Sequence, residues 1–412
     1  MKQILLGATG SVACYKAAFL LRRLREKSFE VRVMLTPTAQ KFVGIPTFQA
    51  LSGRPVLTDE WNTTQSDDGM THITATRTAS ALIVAPASAD FIAKAANGYA
   101  DNILLASFLA ADCPRLIAPT MNRQMWAAAA TQRNIRQLAE DGVIILGPEH
   151  GAQACGEIGE GRMLEVEEII SAVQASTEGL LSGRRIVIST GATVEAIDTM
   201  RVISNRSSGR MGFCIAEAAR IAGAEVVIIA GQTTSPIPSG LHSQRLRQAL
   251  SAEAMRQAAL EECANADVFI AAAAVADFRP ARATNHKIPR KSGEQVIKLT
   301  PTTDILAEIS KTYPHLPTIG FAAQDGDADA WVKAAKQKMR TKKAMMFVAN
   351  PVSNALQEEC QMVILDGENE ERLPQMSKRM AATRLIERLA ARLVSHETSA
   401  TKISKVSHET RG

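Results

Sequence analysis

Apolar residues recur along this chain in two alternating rhythms. Apolar runs at 4–6, 81–85, 116–118 and 143–146, and the run 31–35 broken only by Arg32, have the length of buried strands. Between them, apolar residues fall three and four apart. Ala17, Leu20, Leu21 and Leu24 predict a helix over 12–27, and helices are also expected over 88–97, 124–140 and 165–175. The rhythm pauses at Ser176-Thr-Glu-Gly-Leu-Leu-Ser-Gly183, small and polar enough for a linker. It then restarts with strands over 185–189, 226–230, 268–274, 318–322, 345–349 and 361–365. Helices are expected up to about 222 and over 253–264, 328–340 and 376–393. Strand, glycine-bearing turn and helix in alternation is the pattern of a doubly wound, Rossmann-like α/β sheet. Two such series predict two domains, 1–175 and 185–393, joined by 176–184. The polar tail 394–412 repeats Val-Ser-His-Glu-Thr at 394–398 and 406–410, lacks apolar content, and is expected to be disordered.

Composition narrows the function more than the fold. The 412 residues are 46% apolar and 22% charged, as in ordinary soluble proteins. Aromatic residues make up only 4%, too few for a surface that stacks single-stranded bases, and a net charge of +5 is mild at this length. Anionic small molecules are the expected partners, with no nucleic acid. The longest apolar run, 268–276, is far short of the roughly 20 residues that span a bilayer, so no membrane is expected either. Six cysteines are scattered without a CxxC pair, which suggests neither a disulfide framework nor a thiolate zinc site. The chain opens directly into a strand rather than a signal peptide, and the expected location is cytoplasmic.

Candidate chemistry clusters where strands end. Gly7-Ala-Thr-Gly-Ser11 leads into a helix, so its amides and the hydroxyls of Thr9 and Ser11 are candidates for a phosphate cradle. That loop alone serves NAD, a flavin phosphate or a tight turn. A GxGxxG fingerprint is missing, and Thr36 stands where an acidic ribose ligand is expected, which favours a mononucleotide. Ser88 either caps the next helix or contacts the same phosphate. Asn122 follows the 116–118 strand, either as a turn residue or at the ligand edge of the sheet. His72 is a candidate base or a structural histidine. The stretch 151–163 places Gly151, Gly156, Gly159 and Gly161 around Cys155. It reads either as a mobile flap presenting a thiol or as a connector with an incidental cysteine.

In the second series, Ser204-Asn-Arg-Ser-Ser-Gly-Arg-Met-Gly212 offers hydroxyls, arginines and amides at a helix start. Asp277 ends a buried strand. Lys287, Arg290 and Lys291 follow it, and Lys338 and Lys342 share one helix face. These lysines are either solvated or the fixed cations of a triphosphate site.

In combination, Gly7–Lys16, His72-Ile, Ala85-Pro-Ala-Ser-Ala-Asp90, Pro119-Thr-Met-Asn122 and Gln153-Ala-Cys-Gly-Glu-Ile-Gly-Glu-Gly-Arg-Met163 resemble the flavin-containing cysteine decarboxylases. Across 1–393 the chain resembles their bifunctional members, which join phosphopantothenoylcysteine decarboxylase to phosphopantothenate–cysteine ligase in coenzyme A synthesis. The resemblance implies that the first domain has a flavodoxin-like fold and binds FMN through Gly10, Ser11, Thr36 and Ser88. It makes His72 the base of the oxidation, Asn122 the holder of the substrate carboxylate, and Cys155 the proton donor to the enethiolate formed when CO2 leaves. For the second domain it implies CTP and Mg2+, with the metal ligands unknown. Asn205 contacts an acyl-cytidylate, and Asp277, Lys287, Thr303, Asp304, Ile305, Leu306, Phe321, Lys338 and Lys342 hold the nucleotide. The implied partners are 4′-phosphopantothenate, cysteine and CTP, with a homo-oligomer expected.

Departures gather in the second domain. Ala192, Val194 and Ala196 replace two prolines and an arginine, Pro289 interrupts a lysine run, Gln324 replaces an acid and Pro351 an aspartate. A decarboxylase of another cysteinyl substrate, or a flavoprotein scaffold with a weakened ligase half, are the alternatives.

Overall fold

The computed structural model describes residues 1–59, 70–241, 244–289, 294, 296–367 and 369–409, with side chains as far as Ser395. Two compact units are present. One comprises Met1–Gly179 with Ile237–Ser243, and the other Leu180–Pro236 with Gln244–Gly412.

The first unit runs β1 (Gln3–Ala8), α1 (Cys14–Glu26), β2 (Glu30–Leu35), α2 (Ile45–Ser52), α3 (Thr71–Arg77), β3 (Ala79–Ala87), α4 (Ala89–Ala96), α5 (Ile103–Ala110) and β4 (Arg115–Pro119). It continues with α6 (Arg123–Ala127), α7 (Ala129–Glu140), β5 (Ile144–Ile145), β6 (Glu149–Ala152), β7 (Ile158–Arg162) and α8 (Val166–Glu178). The central sheet has the order β2-β1-β3-β4-β5 and is parallel throughout. Its inner strands are buried on both faces, which is why they read as unbroken apolar runs, whereas Glu30 and Arg32 of the edge strand β2 are half-buried. The order reverses between β1 and β3, so the carboxyl ends of those strands open a crevice where ligands of such sheets bind.

Several expected elements change. The helix expected over 124–140 is two, α6 and α7, because Ala128 is extended (φ −60°, ψ 132°). α8 continues to Glu178 and stops at Gly179, which takes the left-handed conformation (φ 57°) that glycine tolerates at a helix end. The linker therefore starts at 179, not 176. The cysteine stretch is an antiparallel hairpin of β6 and β7, with Cys155 in its turn.

The second unit runs β8 (Arg185–Thr190), β9 (Val194–Ala196), β10 (Val202–Ser204), α9 (Arg210–Ile221), β11 (Glu225–Ala230), β12 (Arg245–Gln248), α10 (Ala252–Cys263) and β13 (Val268–Ala271). Then follow β14 (Phe278–Pro280), β15 (Leu299–Pro301), α11 (Ile305–Thr312), β16 (Thr318–Gln324), α12 (Ala328–Lys342), β17 (Met346–Pro351), β18 (Glu359–Asp366), β19 (Asn369–Ser377) and α13 (Lys378–Glu409). The main sheet is β12-β11-β8-β13-β16-β17-β18-β19, parallel as far as β17 and antiparallel beyond.

Its order reverses between β8 and β13. Connections leave β8 in one direction and β13 in the other, which for the right-handed crossovers usual between parallel strands puts their helices on opposite faces. Met255, Ile309, Trp331 and Met339 of α10, α11 and α12 share one core with Val187, Val227 and Phe269. α9 and α13 pack on each other on the other face. The strand expected over 268–274 stops at Ala271. The closing helix begins at Lys378 rather than 376, because 369–377 forms β19. That helix runs on to Glu409 where a disordered tail was expected; no proline or glycine interrupts 378–409, and among the described side chains the last buried one is Leu393.

Candidate functional site

In the first unit, loops after β1, β2 and β3 meet at the switch point. Thr9 is buried. Its hydroxyl donates to Pro86 O (2.8 Å) and accepts from Ser88 N (2.8 Å), so it stitches two loops together instead of lining a phosphate cradle. The Ser11 hydroxyl accepts from Ala13 N at 3.2 Å. α1 begins with no side-chain cap and no acid in its first turn, which leaves amides and a positive dipole end for an anion. Gly10 is required by closeness: a Cβ there would stand 2.3 Å from Thr38 Cγ2. Thr36 Oγ1 accepts from Ala39 N (3.2 Å), and Ser88 caps α4 by accepting from Phe91 N (3.3 Å). The capping role is therefore real for Ser88, whose hydroxyl hydrogen can still serve a ligand.

The thiol cluster is built by docking the hairpin on the loop after β4. Met121 N donates to Gly161 O (3.0 Å), and Trp126 Nε1 donates to Glu160 Oε2 (3.0 Å). Gly161 has φ +136°, and a Cβ there would meet Met121 O at 2.2 Å; one at Gly159 would meet Arg123 Cβ at 2.9 Å. These two glycines permit close packing of the hairpin on that loop. Asn122 caps α6 through Gln124 N (2.8 Å), so its amide nitrogen faces the hairpin. Nδ2 lies 3.5 Å from Cys155 Sγ, 3.4 Å from Gln153 Oε1 and 2.6 Å from Glu157 Oε2. Arg123 adds an ion pair to Glu157 at 3.4 Å. The Asn122 amide, and behind it the Arg123 charge, hold the Glu157 carboxyl below the usual carboxylate range. Cys155 is exposed in the turn. His72 stands on α3, which packs on α5, and the hydrogen bonds of Asn122 and Cys155 do not reach it. Gln153 and Glu157 are the residues that sequence reasoning passed over; their signal was position, two residues to either side of the cysteine.

The second unit has a half-open pocket. A cavity of about 420 Å3 opens at the carboxyl ends of β8, β13 and β16. It is lined by Asn205, Asp277, Thr303, Asp304, Ile305, Leu306, Phe321, Lys338 and Lys342 together with 206–212. Lys287 does not line it. That residue sits in an exposed loop held through Ile288, whose amide donates to Asp198 Oδ2 (3.1 Å) and whose carbonyl accepts from Arg201. Arg290 and Lys291 lie outside the described residues.

Several lining residues also hold the scaffold. Asn205 Nδ2 donates to Val275 O (3.0 Å), and Asp304 caps α11 and pairs with Lys342 Nζ (2.8 Å). A Cβ on Gly212 would meet Thr190 Oγ1 at 2.2 Å, which brings α9 hard against the end of β8. Ala192, one of the departures, donates its amide to Gln232 O (2.9 Å), a bond that proline lacks. Gln324 pairs in register with Pro351 at the ends of β16 and β17. Lys378, not anticipated from the sequence, also lines the cavity; it is 4% exposed and donates to Asn354 O at 2.9 Å.

Comparison with known proteins separates the same two parts. Residues 1–178 match the family model described as Flavoprotein, and 181–393 match the DNA/pantothenate metabolism flavoprotein C-terminal domain. The chain is a flavoprotein joined to a pantothenate-metabolism domain. The coenzyme A biosynthesis bifunctional protein CoaBC of Haemophilus influenzae is 42% identical over 356 residues, 85% of this chain and 87% of its own. That of Mycobacterium tuberculosis is 37% identical over 406 residues, 94% and 96% of the two chains. The present chain belongs to the CoaBC family, bifunctional enzymes of coenzyme A biosynthesis with a decarboxylase half and a ligase half. Among solved structures it is similar to the C-terminal domain of a CoaBC protein (32% identity, 53% of this chain and 99% of that one, TM-score 0.45). It is also similar to the FMN-dependent cysteine decarboxylase SpaF (33%, 42% and 96%, TM-score 0.38).

Proposed function

We propose that the second unit uses CTP to join cysteine to 4′-phosphopantothenate, and that the first unit decarboxylates the product, 4′-phosphopantothenoylcysteine, to 4′-phosphopantetheine. The observation that carries the decarboxylase half is the approach of Cys155 Sγ to Asn122 Nδ2 at 3.5 Å. The crevice fits FMN: an uncapped helix start without acids faces the phosphate position, and the Gly10 backbone lies too close to Thr38 for any side chain. Gly10, Ser11, Thr36 and Ser88 would hold the group. Bound flavin supplies an electron sink, without which the carbanion left by CO2 has no stabilisation.

The chain's own residues do the rest. Asn122 directs an amide N–H at the substrate carboxylate, and His72 takes the proton lost on oxidation. Cys155 delivers a proton to the enethiolate. Glu157 occupies the Asn122 amide, so the substrate carboxylate enters by displacing it.

In the ligase half, Asp277, 303–306, Phe321, Lys338 and Lys342, which line the cavity, are assigned to the nucleotide and Asn205 to the acyl intermediate; Lys287, on an exposed loop outside the cavity, is assigned to the nucleotide by resemblance and reaches it by movement of that loop. Among the described residues no cluster of three or more His, Cys, Asp or Glu side chains forms a metal cage. Mg2+ suits such a site when the nucleotide's own phosphates supply most of its ligands.

Val12, Tyr15 and Phe19 are more than half exposed at the start and along one face of α1, which supports assembly of the flavin unit with further copies. Six free thiols fit a reducing compartment, and among the described residues no helix is long and apolar enough to cross a membrane; we place the protein in the cytoplasm.

Incubation with 4′-phosphopantothenate, cysteine, CTP and Mg2+ is expected to release CMP and CO2, with yellow protein. Colourless folded protein would sink the flavin reading, and failure to release CMP the ligase reading. Lys287→Gln is expected to abolish CMP release while supplied 4′-phosphopantothenoylcysteine is still decarboxylated; a fall in both activities would break the two-site assignment.

A further inference from the structure

The cavity of the second unit draws cations from both faces of its sheet. Lys338 and Lys342 come from α12, and Lys342 already has Asp304 as its counter-ion. From the opposite face come Arg210, in the first turn of α9, and Lys378, the first residue of α13. Arg210 is neutralised by Glu358.

Lys378 is different. It is 4% exposed, and its described contact is one hydrogen bond to a neutral acceptor, Asn354 O at 2.9 Å. Among the described residues no carboxylate lies within ion-pair distance of it. An ammonium has three donors, and burying one without a counter-charge is costly. Burial accordingly pushes its pKa below the usual lysine range. No structural task seen here requires a charge at that place, because a neutral donor would serve Asn354 O as well. A buried cation with no carboxylate in ion-pair contact, and with only the more distant Glu358 charge, already paired to Arg210, acting on it, is the complement of an anionic ligand where it opens on a cavity.

The reaction assigned to this unit brings together two anions, a nucleoside triphosphate and a phosphorylated acid. Crowding both against one cation cluster sets like charges together, whereas two poles on opposite faces keep them apart. We propose that Lys378 is the counter-charge for the phosphate monoester of the acid substrate, seated between the starts of α9 and α13, while the α12 lysines take the nucleotide. This assignment rests on the ligase reading. The slender pantothenyl chain carries its phosphate at one end, which can reach a recessed ammonium. The serines and amides of 207–209 flank the same pole.

The test is discrimination between 4′-phosphopantothenate and pantothenate, which lacks the phosphate. Lys378→Gln is expected to lower kcat/KM for the phosphorylated acid by about 10- to 100-fold, the size of a lost charge-assisted hydrogen bond. It should leave kcat/KM for pantothenate and KM for CTP unchanged, and Lys378→Arg should recover part of the loss. Retained discrimination overturns the proposal. So does a loss that falls on CTP, or one that falls equally on both acids.

Calorimetric titration of the full chain with 4′-phosphopantothenate alone reads the same contact without turnover. Weaker binding to Lys378→Gln than to the natural chain supports the assignment, and equal or absent binding to both overturns it. A natural chain that binds 4′-phosphopantothenate but releases no CMP defeats the ligase reading and leaves the Lys378 contrast readable. Should Lys378→Gln fail to fold, Lys378→Arg displaces the charge and is expected to lower the same ratio of the two acids.

Discussion

The two units solve one topological problem differently. Each has a sheet whose order reverses at one point, and each gathers its polar residues at the carboxyl ends beside that point. In the ligase unit those ends surround a half-open cavity of about 420 Å3, lined by β-strand ends and helix starts from both faces. In the flavin unit the thiol is exposed, and the reactive group is assembled by a hairpin docked on the loop after β4. A cavity built into a sheet edge inherits the rigidity of the sheet. A site built by docking depends on a few contacts, and damage to those contacts should silence one activity and spare the other.

The largest such effect is expected at the thiol itself. Cys155→Ser should lower formation of 4′-phosphopantetheine by about 100- to 10,000-fold, the range for loss of a positioned proton donor. CMP release should be untouched. Normal product formation by this variant would remove Cys155 from the chemistry and leave the hairpin a purely structural element.

Gly161→Ala asks whether docking matters as much as the thiol. The added Cβ would meet Met121 O at 2.2 Å, and φ of +136° is unfavourable for alanine. The hairpin must lift, carrying Cys155 away from Asn122. Decarboxylation is expected to fall about 10- to 100-fold, as for an angstrom-scale misplacement, while ligation and the fold persist. Gly156→Ala, whose Cβ meets nothing within 4 Å, controls for backbone strain alone, since Gly156 also has positive φ (+84°). Equal losses in both variants would mean that strain, not docking, is responsible.

The same hairpin marks the limit of what the sequence disclosed. Parallel strands were legible because burial on both faces leaves unbroken apolar runs, as at 81–85. α5 was not, because Ile103-Leu-Leu-Ala-Ser-Phe-Leu-Ala110 is apolar on every side and has no helical period; its one signal was Asn102, which caps it. Glycine spacing suggested looseness at 151–163. Whether a glycine grants freedom or permits contact depends on what lies opposite, and Met121 and Arg123 are some thirty to forty residues away in sequence. Around the ligase cavity, motif resemblance picked out Asn205, Asp277, 303–306, Phe321, Lys338 and Lys342, all of which line it. Lys287 was named by the same route and lies outside it. Lys378 was missed because a lysine at the start of an amphipathic helix reads as solvated; only the packing of Asn354 and β18 around it makes it buried.

A smaller effect is expected at Glu157. Its carboxylate holds the Asn122 amide, the group proposed to bind the substrate carboxylate, at 2.6 Å. Glu157→Gln replaces a charged acceptor with a neutral one and weakens the internal competitor for the amide. KM for 4′-phosphopantothenoylcysteine should fall by roughly five-fold, with kcat little changed. A rise in KM would mean that the Glu157 charge orders the hairpin for binding instead of blocking it.

The smallest effect is a stability difference between the units in acid. Asp198 is buried beneath the Lys287 loop of the ligase unit. It accepts from Met200 N and Arg201 N (2.7 Å each), from Ile288 N (3.1 Å) and from Arg201 Nη1 (2.9 Å). The Met200 amide above all, then those of Ile288 and Arg201, hold its pKa near about 2, against a usual 3.8. A carboxyl depressed in the folded state contributes stability that is complete above its unfolded pKa and is lost as pH falls toward the folded one. The ligase unit should therefore lose stability between pH 3.8 and about 2 with a steepness to which Asp198 contributes. Asp198→Asn should lower stability at neutral pH and flatten that acid limb, measured by unfolding midpoints across pH. The flavin absorbance of the first unit should follow the same course in both proteins. An acid limb equally steep in Asp198→Asn would assign the loss to other carboxylates and release the Lys287 loop from this anchor.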